Sequence, residues 1–469
     1  MKKTVKVCAC LVAVAFGLVD VLPAQQNPED GRGQGLFTQA WHAGRRAALR
    51  EHFMKYAKDK DGVILLRGAG KPDDYKEFRQ SNNFWYLTGL ETPNAVYVTV
   101  PKTGEEWLLV PPSNPANEIW VGDLKDPAEA MQVTGIENCL PLGPESRWGG
   151  TSWFGLEQLL DELSQDHKTF YTQGQPAENW MMSRDNLQSA QREIDSDPYD
   201  GRVSREAQFM ARLAEKHGVE VKDFTVAIDA LRVTKTEPEI QAMRRACEIA
   251  AVAHNEVMRT ARPGEYEWQQ AARMLGHFRT EGAMGAGYEA IVGSGPNAII
   301  LHYNLNNRKL LKDEVVMIDY GPEFRYTVAD ISRSWPTSAK FTARQREVYE
   351  AVYAAQEAAF AECKPGSNLS QVHQAAMGEL AKRGFQGKCN HGVSHWLGMA
   401  THDVGRGGAR FKPGMMFTVE PGVYLPDEGI GVRLEDIVVI TESGFDLVSS
   451  SVPRDIDEIE SMRAEAFAD

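Results

Sequence analysis

The stretch from Val315 to Arg333 reads VVMIDYGPEFRYTVADISR, two short apolar runs that each carry one aspartate and are joined across a Gly-Pro turn. Asp319 follows Val315, Val316, Met317 and Ile318, and Asp330 stands between Ala329 and Ile331. Both carboxylates therefore fall in sequence with the character of a buried strand. An ionised carboxylate is costly in apolar surroundings unless it is paired or coordinates a metal. Two of them eleven residues apart, on strands that a hairpin would set side by side, read as half of a metal site.

The other half lies about a hundred residues on, because the plan of the chain repeats. A long amphipathic helix opens at Thr236, with Pro238 in its first turn and Glu239 in the capping-box position, and stops at Pro263-Gly264. Its apolar face runs Ile240, Met243, Cys247, Ala250, His254 and Val257, where a lone histidine reads as a structural residue. A second such helix, capped by Thr342, stops at Pro365-Gly366, an offset of 102. Asp319 then has its counterpart in Glu420, offset 101, and Asp330 in Glu435, offset 105. A duplicated unit of this kind brings four carboxylates together at a pseudo-twofold interface.

The histidine-rich run HGVSHWLGMATHDVG from His391 to Gly405 joins this set. Four carboxylates around an imidazole make a hard, oxygen-rich donor set that suits Mn, Co, Fe or Zn, better as a pair than as one structural zinc. Two divalent ions about 3.5 to 4 Å apart would balance the charge and hold a hydroxide between them, a nucleophile at neutral pH without a Ser or Cys. His391 and His395 are four apart, but Gly392 and Val393 make a poor helix and no HExxH glutamate is present, so a helical zinc pair is disfavoured. His302 precedes Asp319 by seventeen residues, and His402 follows the His395 segment; their neighbourhood, more than their type, makes them candidates.

At 469 residues, 42% apolar and 25% charged, the chain has room for two cores and the balance of a globular protein. A net charge of -14 argues against nucleic acid or an anionic membrane as partner. Lys2, Lys3 and Lys6 precede an apolar run from Val7 to Val19 and then Leu22-Pro23-Ala24, the layout of a secretory signal over residues 1–24, too short to span a bilayer. A periplasmic or secreted mature chain with no membrane segment is the expectation. Cys139, Cys247, Cys363 and Cys389 are widely spaced, which fits core thiols and neither a thiolate zinc site nor a disulfide scaffold.

Residues 37–220 read as an α/β unit: a helix over Thr38 to Lys55, strands at Gly62 to Leu66, Phe84 to Leu87, Ala95 to Val100 and Trp107 to Val110, a helix near Leu156 to Leu163 and a strand at Thr169 to Tyr171. Arg205 to Lys216 is predicted as a connecting helix, and the second domain as residues 224–462.

IVGSGPNAIILHY, MIDYG, VADISRSWP, HGVSHWLGMATHDVG, FTVEPGVY and GIGVRLEDIVVI, in this order and spacing, resemble the pita-bread metallopeptidases and most closely the Xaa-Pro aminopeptidases. RQSNNFWYLTGLETPNAVYV resembles the N-terminal domain of that family. The resemblance implies an α/β N-terminal domain followed by an α+β pita-bread catalytic domain with internal pseudo-twofold duplication. It implies Asp319, Asp330, His395, Glu420 and Glu435 as ligands of two divalent metal ions, with Mn2+ the first expectation and Asp330 and Glu435 bridging. Glu420 would also shuttle a proton, and His302 and His402 would hold substrate and stabilise an oxyanion. His391, Tyr424 and Arg433 would line a pocket for a proline ring, with Tyr288 near the metals. Trp85 would be an aromatic presented to a neighbouring subunit's site in a homo-oligomer, dimer or tetramer. The implied partners are peptides with proline at the second position, cleaved before that proline by a metal-bridging hydroxide. A prolidase restricted to dipeptides shares the five ligands, and the short loop between Tyr424 and Gly429 favours it. A metal-free pita-bread binding module is the reading from another class, and the presence of all five ligands opposes it.

Overall fold

The computed structural model describes residues 35–72, 75–144 and 150–467. The signal read over residues 1–24 lies outside the described residues. In the N-terminal half, β1 (Val63–Arg67), β2 (Val96–Val100), β3 (Glu105–Val110), β4 (Asn138–Pro141), β5 (Thr169–Thr172) and β6 (Glu220–Asp223) form one mixed sheet in the order β4-β3-β2-β1-β5-β6. Both of its faces are covered, so alternate residues of one strand serve different cores. Val63 and Leu65 pack with Leu156, Leu160 and Phe170, while Ile64 and Leu66 pack with Phe53, Phe84 and Tyr97. The helix Arg205–His217 leads into the edge strand β6, so the chain leaves this sheet at Asp223.

Phe84 to Leu87, expected as a strand, is helical within Asn82–Thr88. Gly89 at φ 67° ends the helix, and every one of its residues is buried. Tertiary packing on all sides overrides the β-preference of an aromatic run.

The second half is built twice. Helices Glu237–Thr260 and Glu267–Thr280 precede β7 (Gly285–Ala286), β8 (Ile291–Ser294), β9 (Val315–Asp319), β10 (Pro322–Phe324), β11 (Thr327–Val328) and β12 (Ser332–Pro336). Helices Ala343–Phe360 and Leu369–Lys382 precede β13 (Met416–Val419), β14 (Gly422–Leu425), β15 (Ile430–Arg433), β16 (Asp436–Ile440) and β17 (Phe445–Leu447). The Thr236 N–H donates to Glu239 Oε2 at 2.8 Å, as the capping-box sequence predicts. β9 pairs antiparallel with β12, Asp319 opposite Ser332, and β13 pairs antiparallel with β16, Val419 opposite Asp436. The two copies meet at buried polar contacts: Glu435 N–H donates to Ser332 O at 3.1 Å, and Arg333 pairs with Asp436 at 2.7 Å with both side chains fully buried.

Between β9 and β12 the chain makes an excursion, the hairpin β10–β11, whose two-residue turn Arg325–Tyr326 has φ of 47° and 60°. Such a turn costs non-glycine residues of the order of 1 kcal/mol or more each. Its anchors lie in the N-terminal half. The Tyr326 ring stacks on Trp85 at 4.0 Å, the Arg79 guanidinium lies 4.3 Å above it, and its hydroxyl donates to Glu91 at 2.7 Å. Arg79 also pairs with Glu323 at 2.6 Å, each about 1% exposed, and this ion pair locks the two halves together.

Candidate metal centre and cleft

Asp319 is the last residue of β9, whereas Asp330 lies just beyond β11 and Glu435 just before β16. The ligand candidates thus stand at strand ends, not inside one simple hairpin as the apolar runs suggested. Gly321 makes the arrangement feasible. A Cβ there would stand 1.8 Å from Ala329 O, so only glycine lets the segment leaving β9 cross the one entering β12. The crossing brings Asp319 and Asp330 so close that the Tyr288 hydroxyl lies 2.7 Å from Oδ1 of each. Burial, then Glu435 and Asp319, hold Asp330 well above the usual carboxylate range.

The second copy supplies the opposite wall. The loop carrying His395 runs along the edge of β13: Thr418 N–H donates to His395 O at 2.9 Å and Glu420 N–H to Val393 O at 2.8 Å. His395 Nδ1 is 3.1 Å from Trp396 O, an oxygen that can only accept, so Nε2 presents its lone pair to the carboxylates. Nε2 is 3.4 Å from Asp330 Oδ2, 3.6 Å from Glu420 Oε1 and 3.7 Å from Glu435 Oε1. One donor atom each from Asp330, His395 and Glu435 lies within 4.8 Å of the others. Glu435 accepts from Ser332 Oγ at 2.8 Å, and Arg433 Nε donates to the same hydroxyl at 2.8 Å.

This donor set fits divalent cations. Glu420, like Asp330, is held well above the usual range, by burial first and by Glu435 next, with Arg433 opposing. Carboxyls crowded until they retain protons are sites where a metal displaces those protons. Arg433 pairs only with Asp319, at 2.6 Å, leaving Asp330, Glu420 and Glu435 without a Lys or Arg salt-bridge partner among the described residues.

The five candidates open into a cleft of about 840 Å³ whose wall includes Tyr288, Leu301, His302, His391, His402 and Arg433. His302 is exposed at the mouth. Burial and the neighbouring Arg433 push His391 down to about 4, so its neutral imidazole faces the cleft. Tyr424 stands behind the wall, its hydroxyl 2.8 Å from His391 Nε2 and 3.2 Å from Arg433 Nη1; it braces the pocket residues and does not face the cleft itself. Trp85 is not a site residue. It is 2% exposed, stacked on Tyr326 and edge-on to Phe37 and His42, so it cannot be presented to another subunit. Among the described residues of the N-terminal half the well-exposed tryptophan is Trp120, 84% exposed. His254 has the structural part assigned to it, fully buried with Nε2 3.0 Å from Tyr320 O.

The cleft also has a wall from the N-terminal half, where Trp85 was the one site residue expected. Met181, Ser183, Asp185 and Gln188 line it, and Asp185 Oδ2 lies 2.7 Å from His402 Nδ1. Burial lowers the His402 pKa, but Asp185, Glu435 and Asp319 together outweigh burial and raise it. In the sequence Asp185 is an ordinary acidic residue in the first turn of a helix, and Ser332 an ordinary strand serine. Asp185 carries no motif, and Ser332, though inside the VADISRSWP run, had no role assigned; the tertiary contact reveals both.

Residues 241–442 match the metallopeptidase family M24, and residues 42–144 match the aminopeptidase P N-terminal domain. The chain is 30% identical over 431 residues to a Xaa-Pro aminopeptidase of Escherichia coli, an alignment covering 84% of this chain and 91% of that protein. It is 29% identical over 419 residues to one from Haemophilus influenzae, covering 82% and 88%. The E. coli aminopeptidase P solved with the inhibitor Pro-Leu superposes with a TM-score of 0.75 at 27% identity, over 92% of this chain and 99% of that one.

Proposed function

Because the chain belongs to metallopeptidase family M24 as a Xaa-Pro aminopeptidase-type metallo-exopeptidase, we propose that it holds two divalent cations, manganese first, and removes the N-terminal residue from peptides with proline second. The observation that carries this reading is the cluster of Asp330, His395 and Glu435 flanked by Asp319 and Glu420 at the floor of an open cleft. Asp319, Asp330, His395, Glu420 and Glu435 would hold the cations. Bound there, such cations supply a water deprotonated near neutral pH and polarise a carbonyl.

This chain's own residues do the rest. Glu420, at the cleft surface with its pKa pushed up, is suited to carry a proton to the leaving prolyl nitrogen. His302 offers an N–H donor where charge develops on the carbonyl oxygen, and His402, with Nδ1 on Asp185, offers one from Nε2 in the imidazolium form that the neighbouring carboxylates favour. The scissile bond is a tertiary amide without an N–H, so its recognition needs walls for a ring more than an acceptor. His391 and Arg433, braced by Tyr424, supply those walls. A prolidase remains the second reading, supported by the short loop Pro426–Glu428. Against it, the wall from Met181 to Gln188 extends the cleft beyond the carboxylate frame, room that a dipeptide does not require.

The decisive experiment is kinetics on a panel of Xaa-Pro, Xaa-Pro-Yaa and Xaa-Ala-Yaa peptides with manganese, cobalt, iron or zinc restored after chelation. Turnover confined to Xaa-Pro dipeptides would replace the aminopeptidase reading with the prolidase one. Absence of turnover together with absence of bound metal would favour a binding module. The signal-like residues 1–24 support export to the periplasm or secretion, tested by N-terminal sequencing of protein from each fraction. Light scattering tests the proposed homo-oligomer.

A further inference from the structure

The contact between His402 and Asp185 joins residues 217 apart and spans both halves of the chain. Beneath it lies a buried chain of charges. Asp403, next to His402, pairs with Arg232 and, at 2.9 Å, with Lys235; the side chains of Asp403 and Arg232 are fully buried. Arg232 also donates to Asn83 Oδ1 at 2.7 Å and lies 3.5 Å from Glu178. Glu178 pairs at 2.9 Å with Arg184, the residue before Asp185. His402 N–H donates to Ser183 Oγ at 3.0 Å. The backbone at 402–403 and at 183–185 is thus clamped from below, and the one partner that reaches the imidazole from this clamp is Asp185.

We propose that Asp185 is a positioning residue for the reaction: by accepting from Nδ1–H it fixes the orientation of the His402 ring, so that Nε2 is presented to the carboxylate frame. The ring has neighbours that do not do this. It lies 4.5 Å, centroid to centroid, from the His395 ring, a contact that leaves it free to turn over, whereas a carboxylate on Nδ1 selects one of the two flipped orientations. The N-terminal half therefore contributes a working part to the catalytic cleft, in addition to packing against the other half. The proposal rests on the reading of His402 as a donor to substrate.

The test compares Asp185→Ala, Asp185→Asn, His402→Ala and the Asp185→Ala/His402→Ala double variant in the full chain, reconstituted with metal and assayed on an Xaa-Pro-Yaa peptide. Asp185→Ala should lower kcat roughly tenfold to a hundredfold, the range typical when the partner orienting a functional histidine is lost, with KM within about threefold and metal content unchanged. Asp185→Asn, which keeps an acceptor oxygen, should recover most of the loss, and the double variant should be no worse than His402→Ala alone. Long-range 1H–15N spectra of the zinc-loaded, histidine-labelled chain should show Nδ1–H at His402 and its loss in Asp185→Ala. Native kcat in Asp185→Ala, losses that add in the double variant, or an Nδ1–H signal that survives the substitution would each overturn the proposal. If His402→Ala cleaves the peptide at the native rate, the donor reading of His402 fails and the proposal with it; if His402→Ala is impaired and Asp185→Ala is not, the proposal alone fails.

Discussion

Arg433 holds Asp319 at 2.6 Å, so one carboxylate of the frame carries a resident monovalent cation while its three neighbours have none among the described residues. The frame is therefore electrostatically lopsided. The side of Asp330, Glu420 and Glu435 has the larger uncompensated demand for positive charge, and the Asp319 side has Arg433 in reserve. Removing one partner from a buried ion pair typically costs about 3 to 5 kcal/mol, because the other charge is left alone. Arg433→Met should accordingly destabilise the chelated protein by that order and the manganese-saturated protein by clearly less, since a divalent ion can take over the neutralisation of Asp319. Thermal melts with and without manganese measure both. An equal loss in the two would mean that Asp319 does not face the metal.

Asp330 sits with His395 and Glu435 inside the tight cluster, whereas Asp319 stands outside it. Asp330→Asn should abolish metal retention, and with it turnover by three orders of magnitude or more. Asp319→Asn should retain about half of the metal per chain. Elemental analysis after desalting separates the two, and an Asp330→Asn variant with a full metal complement would contradict the assignment of ligands.

The pH dependence follows from the carboxyls whose pKa values are raised. Asp330 and Glu420 bind protons more tightly folded than unfolded. Their contribution to stability is complete below the ordinary carboxylate value of about 4 and is lost as pH rises through the raised folded values. A cation replaces those protons, so the increase in Tm on adding manganese should grow as pH rises from about 5 to about 8, and turnover should fall on acidification. His42 and His254, both pushed down to about 4 by burial, destabilise the fold on acidification with or without metal and largely cancel in the difference. A manganese-induced shift in Tm that is flat with pH would show that the carboxyls do not exchange protons for metal.

Trp85→Ala should behave as a core truncation, costing about 3 to 5 kcal/mol. Chain that remains folded should keep its KM for peptide, because Trp85 touches no part of the cleft. A raised KM in a fully folded Trp85→Ala protein would restore the residue to the site.

The gathering of the carboxylates in one place was legible because a buried acid obeys local rules. A carboxylate behind four apolar residues, as at Asp319, is conspicuous, and the offset between Asp319 and Glu420 announces the duplication. The family resemblance then supplied His395 and the wall residues. The rest was hidden by the nature of the contacts. Phe84 to Leu87 has the composition of a strand, and only full enclosure makes a helix of it. Nothing near Asp185 distinguishes it from a helix-opening acid, because its partner is contributed by the other half of the chain. The crossing at Gly321 appears in the sequence as an ordinary Gly-Pro turn, although the missing methyl is what lets the two aspartates meet.

The hairpin turn at Arg325–Tyr326 makes this chain a poor candidate for part-exchange. The segment linking Asp319 to Asp330 is plugged into Trp85 and Arg79, so the spacing of two ligand candidates is referenced to the N-terminal half. A chimera that takes its first half from one relative and its second from another will inherit a mismatched plug unless positions 79, 85, 323 and 326 travel together. For engineering, and for descent with recombination, the unit of inheritance is the pair of halves.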